Sequence, residues 1–366
     1  MDSEDPAARG RALRQLFESR TASGPGLRQF ALATAVARLE ARLAAYTGAQ
    51  HCVTVGSGAE ALLLAMTVLQ IGPGDEVITT PFAPPASVRA IRLRGAAPVF
   101  ADIDRATCNL DPSLVEASIT PRTRAIVPVS LYGQPSDMEA LNAIGRRHGL
   151  AVVEDASDSF GATYHGNRSG NLAALGCTSF AADKLFGCEG GGGALFTRDE
   201  ALAQAARNVR AAGLPGCRRM EPQLCASLLA MLDGLESELA QRQRVAASFE
   251  ALFAGRLQRV GRQRDRTSVF AHYTLMVEDR ERVLAELAAA GIAATVHPSP
   301  LHLQSAYANC CDPARYPVAT GLAARVLSLP IDSQLGEASA TKIATAVLRS
   351  AGVAIPPLDQ WSLAGP

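Results

Sequence analysis

The chain has 366 residues, which favours two domains, and 48% of them are hydrophobic, enough for a large buried core. The 35 basic and 35 acidic residues balance, so the composition predicts no nucleic-acid partner. Apolar runs too short to cross a bilayer and an acidic N-terminus unlike a signal peptide favour a cytoplasmic protein without a membrane partner. No zinc-ligand spacing links the eight cysteines with histidines, so we expect no metal.

In chain order, polar residues 1–25 are predicted to form an N-terminal arm, and a helical period follows over 30–46. Further helices are predicted from Ser57, which is a good N-cap, and around 86–94. Ser136 and Glu139 match a capping box for a helix that ends near residue 148. Short apolar runs between turn residues predict strands at 51–55, 75–80, 97–101, 124–130, 150–157, 177–181 and 193–197.

Strands and helices that alternate at this spacing predict an α/β domain with a mostly parallel sheet and helices on both faces. We therefore expect a large domain over 26–240. Beyond it the pattern changes to a long Arg- and Glu-rich helix, a strand at 272–279, a helix at 280–291, a strand at 292–297 and two more helices. Residues 241–366 are therefore predicted to form a smaller α+β domain.

Lysine is rare in this chain, because only Lys184 and Lys342 are lysines and the other 33 basic residues are arginines. A lysine amine can lose its proton and attack a carbonyl, whereas a guanidinium stays charged. Lys342 lies in a polar stretch typical of a solvated helix, while Lys184 lies among glycines and apolar residues. The position of Lys184 is consistent with a catalytic amine, although one of two lysines could also fall there by chance.

Asp155 ends an almost wholly apolar strand, and ligands of parallel sheets bind at the carboxyl ends of strands. A carboxylate there can keep a heterocyclic nitrogen protonated, which makes the ring an electron sink. An acid at this point can also cap a helix. Lys184 follows after another crossover and strand, so both side chains are expected in one crevice.

A phosphate site is suggested by Gly56–Ala59, where a strand turns into a helix and backbone N–H groups point outward. The Ser179 hydroxyl can add a donor. The glycine run at 190–193 permits close approach of the backbone to a ligand, although such a run can also be a simple flexible turn.

Together these features resemble the DegT/DnrJ/EryC1/StrS aminotransferases, a branch of the fold-type-I pyridoxal-phosphate enzymes that usually act on sugars or cyclitols. The resemblance extends from about residue 25 to 350. It is carried by SGAEAL (57–62), GPGDEVI (72–78), APVFADID (97–104), ITPRTRAIVPV (119–129), LYGQPSDM (131–138), RRHGLAVVEDAS (146–157), Ser179 to Lys184, and VHPSPLH (296–302).

The resemblance implies pyridoxal 5′-phosphate as cofactor, held as a Schiff base by Lys184, with Asp155 at the ring nitrogen. It places the phosphate on the turn that begins at Gly58, on the backbone of Ala59 and Glu60, and on Ser179.

The chain departs from the family pattern around the cofactor ring. Asp158 stands where the family usually has Gln or His near the phenolic oxygen, and a second carboxylate there would repel a phenolate. Pro84 replaces an aromatic residue that often covers the ring, with Phe82 two residues away. Asp183 and Leu185 flank the lysine where Ser or Thr and often Asn are usual.

The resemblance also implies a homodimer with shared active sites. Cys217 aligns with an Asn of the partner subunit that usually contacts the phosphate. Arg218 or Arg219 could supply the missing contact, since a guanidinium group can donate two hydrogen bonds to phosphate oxygens. The alternative is that both arginines face solvent.

The leading hypothesis is an aminotransferase that moves an amino group from glutamate or glutamine to a keto-sugar, a keto-cyclitol or a related carbonyl compound. His297 and His302 are candidate substrate contacts, or else surface or packing histidines. Two alternatives remain open: an eliminating or aromatising enzyme of the amino-hydroxybenzoate type, and a non-catalytic partner of an active homologue, which Asp158, Pro84 and Cys217 suggest.

Overall fold

The computed structural model describes residues 25–354 apart from 214, 297–299 and 308–310, so the predicted arm lies outside it except for its last residue. Ten α-helices are defined within the described residues. They are α1 (Pro25–Thr47), α2 (Gly58–Val68), α3 (Pro85–Leu93), α4 (Pro112–Val115), α5 (Met138–His148), α6 (Glu200–Ala211), α7 (Pro222–Phe253), α8 (Arg280–Ala289), α9 (Pro317–Ala323) and α10 (Glu337–Ser350).

The central sheet has seven strands in the order β1-β9-β8-β5-β4-β2-β3. They are β1 (His51–Val55), β2 (Glu76–Thr79), β3 (Ala97–Phe100), β4 (Thr123–Val127), β5 (Ala151–Asp155), β8 (Leu175–Ser179) and β9 (Gly193–Thr197), with a small hairpin of β6 (Thr163–Tyr164) and β7 (Asn167–Arg168) between β5 and β8. Only β9 runs against its neighbours, so the predicted mostly parallel sheet is confirmed.

Both faces of this sheet are covered. On one face, α2 contributes Leu64 to a cluster that includes Val53 and Val153, all fully buried. On the other face, Leu141 of α5 packs against Val152. The strands are apolar on both sides because each side meets a helix layer, as expected for a parallel sheet.

The start of α5 differs from the prediction. Asp137 is its N-cap, and its carboxylate accepts a hydrogen bond from Ala140 N. The Ser136 hydroxyl instead donates to Val129 O, 3.0 Å away. The predicted capping box of Ser136 and Glu139 was therefore wrong, because a tertiary contact uses the serine and the next residue caps the helix.

The second unit is built on a three-stranded antiparallel sheet of β10 (Gln258–Arg259), β11 (Tyr273–Met276) and β12 (Val326–Leu329). Helix α7 has 32 residues and passes without a break through residue 240, where the domain division was expected. The strand predicted at 292–297 was wrong for its described part, which forms a single bridge between Thr295 and Ser328.

The two units pack closely on each other. Leu301 N donates to Pro81 O at 2.9 Å, directly after β2. An apolar cluster joins Phe82 and Phe100 of the large unit to Leu301 and Tyr316. The loop after β2 is therefore packed between the large unit and the second unit. No helix among the described residues has the length and apolar character to cross a membrane.

Candidate active site

The carboxyl ends of the parallel strands meet at one edge of the sheet, and the chemically useful side chains lie there. Asp155 ends β5, Ser179 ends β8, and the turn at Ser57 follows β1. Because β9 is antiparallel, its first residue, Gly193, reaches the same edge. Lys184 lies on the connection between β8 and β9. The sheet topology alone thus brings these residues together.

The turn after β1 is a capped helix start that leaves amides available. The Ser57 hydroxyl accepts a hydrogen bond from Glu60 N at 3.2 Å, and the amides of Gly58 and Ala59 stand in the first helical turn, where no intrahelical acceptor exists. A methyl group added to Gly58 would lie 2.5 Å from Ser179 Cβ. The turn and the Ser179 hydroxyl therefore form one compact cradle suited to an anion.

Glu60 ties a distant segment to this cradle. Its carboxylate accepts hydrogen bonds from Gly56 N at 3.1 Å, from Arg218 N at 2.9 Å and from Arg218 Nε at 3.2 Å. Gly56 N also donates to Arg218 O at 3.0 Å. Arg218 consequently supports the cradle through Glu60.

Asp155 is almost completely buried, with 1% of its surface exposed. Oδ1 accepts from the hydroxyl and the amide of Ser157 at 2.6 and 3.1 Å, and Oδ2 accepts from the Ser87 hydroxyl at 2.7 Å. Burial raises the pKa of Asp155, while these hydrogen bonds oppose the shift. A cationic group placed against this carboxylate would therefore stabilise its charged form.

The Lys184 amine faces the second carboxylate. Nζ lies 2.8 Å from Asp158 Oδ1 and 3.6 Å from Asp183 Oδ2. Burial by itself would lower the pKa of Lys184, but the charges of Asp158, Asp183 and Asp155 and the hydrogen bond to Asp158 outweigh it, so that pKa lies above its ordinary value. The amine is thus held as an ammonium ion in a pocket of negative charge.

A family model described as the DegT/DnrJ/EryC1/StrS aminotransferase family matches residues 27–348. The chain is 43% identical over 334 residues to the UDP-2-acetamido-2-deoxy-3-oxo-D-glucuronate aminotransferase of Pseudomonas aeruginosa, covering 87% of this chain and 91% of that protein.

The chain belongs to the DegT/DnrJ/EryC1/StrS aminotransferase family. Solved structures agree with this assignment. The S. venezuelae DesV structure, in complex with a ketimine intermediate, has a TM-score of 0.86 at 35% identity and 95% coverage of both chains. A family member from Brucella abortus has a TM-score of 0.85 at 31% identity, with 94% of this chain and 96% of that chain covered.

The aminotransferase uses pyridoxal phosphate, and its site fits this cofactor. The cradle of Gly58 and Ser179 offers amides and a hydroxyl for a phosphate, the buried Asp155 offers a counter-ion for a ring nitrogen, and the Lys184 amine is the group able to form a Schiff base.

One of the two expected ring contacts is not supported by the structure. Phe82 is fully buried in the cluster between the two units, so it has no open face to stack on a cofactor. The physical reason is the packing of Leu301 and Tyr316 over the Phe82 ring. Pro84 is the N-cap residue of α3 and is partly exposed, so its contact with the ring stays a prediction.

The histidine expectations also change. His302 is 2% exposed, with Nε2 3.0 Å from Thr320 Oγ1 and its ring 5.6 Å from that of Tyr316. Burial lowers the pKa of His302. In this aminotransferase His302 is therefore a packing residue and not an open substrate contact. His297 lies outside the described residues.

The segment expected to reach the partner subunit is docked on its own chain. Cys217 is 1% exposed in the apolar cluster under α2, which leaves no accessible thiol for a neighbouring subunit. Arg218 pairs with Glu60, as described above, and Arg219 is exposed.

Three residues near the site were missed in the sequence. Ser157 could have been found, because a hydroxyl two residues after Asp155 commonly bonds the aspartate of a turn. Ser87 carried no signal, since only the fold brings it to Asp155. Tyr132 has a left-handed φ of 58°, is 3% exposed and has no hydrogen-bond partner for its hydroxyl among the described residues.

Proposed function

We propose that this enzyme transfers an amino group from an amino acid, with glutamate or glutamine expected, to the carbonyl of a nucleotide-linked keto-sugar or a closely related compound in a biosynthetic pathway. The observation that carries the proposal is the Lys184 amine, which is mostly buried, contacts Asp158 at the ligand edge of the sheet and lies close to the buried Asp155. The relative from Pseudomonas aeruginosa is named for a UDP-linked 3-oxo sugar, which supports this acceptor class.

When bound, pyridoxal phosphate supplies an electron sink for the carbon that carries the amino group. Lys184 would hold the cofactor through its amine and, once released, move a proton to and from that carbon. Asp155 would keep a proton on the ring nitrogen, because its buried charge gains stability from a cation. Ser179 and the first amides of α2 would fix the phosphate and so orient the ring.

The direct test incubates the holoenzyme with L-glutamate and a panel of nucleotide-linked keto-sugars, with mass detection of the amino product. An amine formed from at least one keto-sugar is the expected result. Release of ammonia or an aromatic product would instead support an eliminating or aromatising enzyme. The half-reaction with glutamate is monitored by the visible absorbance of the cofactor. If no half-reaction occurs, the result would support the non-catalytic alternative.

We also propose a cytoplasmic homodimer with active sites at the subunit interface. Light scattering at micromolar concentration tests the assembly, and a monomer that retains the cofactor would contradict shared sites. Because Cys217 is buried in its own subunit, we expect cofactor retention to be the same in Cys217→Ala as in the wild type.

A further inference from the structure

The carboxylate next to Lys184 is a specific feature of this site. Asp158 Oδ1 is 2.8 Å from Nζ, and the two side chains are 8% and 14% exposed. Asp183 is also near Nζ, at 3.6 Å, but 65% of its side chain is exposed. Water screens an exposed charge far more than a buried one, so Asp158 is the stronger electrostatic partner.

The backbone holds Asp158 in this position. It follows β5 in a turn in which Ala156 N donates to Cys177 O at 2.8 Å and Ser159 N donates to Ala156 O at 3.1 Å. The Ser159 hydroxyl lies 2.5 Å from that of Ser169. The position of the Asp158 carboxylate is therefore set by an ordered turn and a short side chain.

Among the residues that the structure describes, the charged groups that act on the Lys184 amine are all acidic. Asp155 and Asp183 face the Lys184 amine, and the Tyr132 phenol faces Asp158. Burial raises the pKa of Tyr132 well above its usual value, so the phenol stays neutral. Of the three acids, Asp158 is the one that contacts the Lys184 nitrogen most closely.

We propose that Asp158 is a positioning residue that holds a proton on the Lys184 nitrogen, both in the free amine and in the nitrogen that links the lysine to the cofactor. The second half rests on the proposed function, whereas the first half needs only this chain. In this position the negative charge of Asp158 would be compensated by the protonated lysine nitrogen. This compensation removes the repulsion expected between Asp158 and a cofactor phenolate.

The two-lysine composition gives a direct test. Full-length protein freed of cofactor is treated with trace acetic anhydride over a range of pH, and the peptides that contain Lys184 and Lys342 are quantified by mass spectrometry. Only the unprotonated amine reacts. Lys342 is exposed on α10 and serves as the internal reference in every sample. The pH dependence of the ratio reports the protonation of Lys184.

Asp158→Asn is expected to lower the apparent pKa of Lys184 by about 1 to 3 units, since an opposite charge at this distance has that effect. One unit corresponds to roughly tenfold faster acetylation at a pH below both values. Asp183→Asn is the matched control and is expected to shift it much less. Asp158→Glu keeps the charge and is expected to restore most of the wild-type value. Circular dichroism checks the fold of each variant.

An unchanged Lys184 profile in Asp158→Asn, or an equal shift in Asp183→Asn, would overturn the proposal. So would a shift in Asp158→Glu as large as that in Asp158→Asn, because it would show that geometry and not charge is responsible. If the Asn variant folds poorly, Asp158→Ser provides a smaller neutral replacement for the same comparison.

The cofactor-bound enzyme gives a second readout that is independent of turnover. The visible absorbance of the bound cofactor is titrated against pH, and the midpoint is expected to fall by at least about one unit in Asp158→Asn. An unchanged midpoint would overturn the second half. Failure of the acetylation test would leave the aminotransferase function intact, and failure to bind cofactor would leave the acetylation result valid.

Discussion

The two faces of strand β5 place adjacent buried carboxylates in different surroundings. Glu154 is fully buried, and Asp155 is 1% exposed. Their side chains lie on opposite faces because successive residues of a strand alternate. Glu154 accepts hydrogen bonds from Gly170 N at 2.9 Å, from Leu172 N at 3.1 Å and from the Ser169 hydroxyl at 2.6 Å.

The donors differ in kind. Those of Glu154 come from one loop, and two of them are backbone amides, so this carboxylate fixes the path of the chain. Asp155 is bonded mainly by the hydroxyls of Ser87 and Ser157, which can rotate and still leave an oxygen for another donor. Burial and acidity alone therefore do not distinguish the two carboxylates, whereas the type of hydrogen-bond partner does.

The largest effect is expected on the Asp155 side of the strand, at the amine itself. Lys184→Arg should abolish the covalent link to the cofactor, because a guanidinium remains protonated and does not form a Schiff base. Borohydride reduction of the wild type should attach the cofactor to the peptide that contains Lys184. Attachment to the Lys342 peptide would show that the site has been assigned to the wrong lysine.

Asp155→Asn is expected to reduce turnover by orders of magnitude while the protein still folds. An amide cannot keep the ring nitrogen protonated, and the electron sink is weakened. Steady-state rates together with thermal melting separate the two effects. Near-normal turnover would mean that a different group protonates the ring, and the comparison of the two faces would fail.

Glu154→Gln should change stability and not turnover. Burial raises the pKa of Glu154 from 4.5 to about 7. Between these two pH values the carboxyl is protonated in the folded state and ionised in the unfolded chain. The stabilisation linked to this proton is complete below pH 4.5 and disappears as the pH rises through 7, a change of roughly 3 kcal/mol.

Urea unfolding between about pH 5 and 8 tests this sign. The wild type should lose stability relative to Glu154→Gln as the pH rises, because glutamine stays neutral and its amide oxygen can still accept from the two backbone amides. Parallel curves for the two proteins would show that Glu154 does not titrate in this window.

The smallest effect is expected at Arg218. Its exposed guanidinium pairs with Glu60, and such a pair contributes below about 1 kcal/mol. Arg218→Ala should therefore weaken cofactor retention only severalfold, by loosening Glu60 at the phosphate cradle. Arg219→Ala, the adjacent control, should alter retention less. A larger loss in Arg219→Ala would favour a direct phosphate role for that residue, and no loss in either would remove both roles.

The sequence was sufficient for the architecture because the large unit repeats a local pattern. Apolar strands alternate with capped helices, and this pattern predicted β1 to β5 and the helix that begins after Ser57. The exception at α5 is informative. Ser136 and Asp137 are both able to cap a helix, and the choice was made by the Ser136 contact to Val129 and by the Tyr164 hydroxyl, which donates to Asp137 at 2.9 Å.

Candidate site residues could be predicted from the sequence where the chemistry needs one residue type. They could not be predicted where the role of a residue depends on its neighbours in the fold. The scarcity of lysine pointed to Lys184, and the end of an apolar strand pointed to Asp155. The burial of Phe82 depends on a loop that lies more than two hundred residues later, near Leu301. The contact of Asp158 with Lys184, and that of Arg218 with Glu60, are likewise long-range and leave no mark in the local sequence.

The connection between β8 and β9 has a kinetic consequence. Both of its ends are fixed in adjacent antiparallel strands, and it is braced by hydrogen bonds from Phe180 N to Gly192 O, from Lys184 N to Ala181 O and from Cys188 N to Phe180 O. If Lys184 holds the cofactor as proposed, the amine would remain on this braced connection after its release. Its return would then be an intramolecular reaction, for which effective concentrations are on the order of 10⁵ M or more when the groups are well oriented. The braced connection would therefore allow the amine to be released and bound again in every cycle without leaving the site.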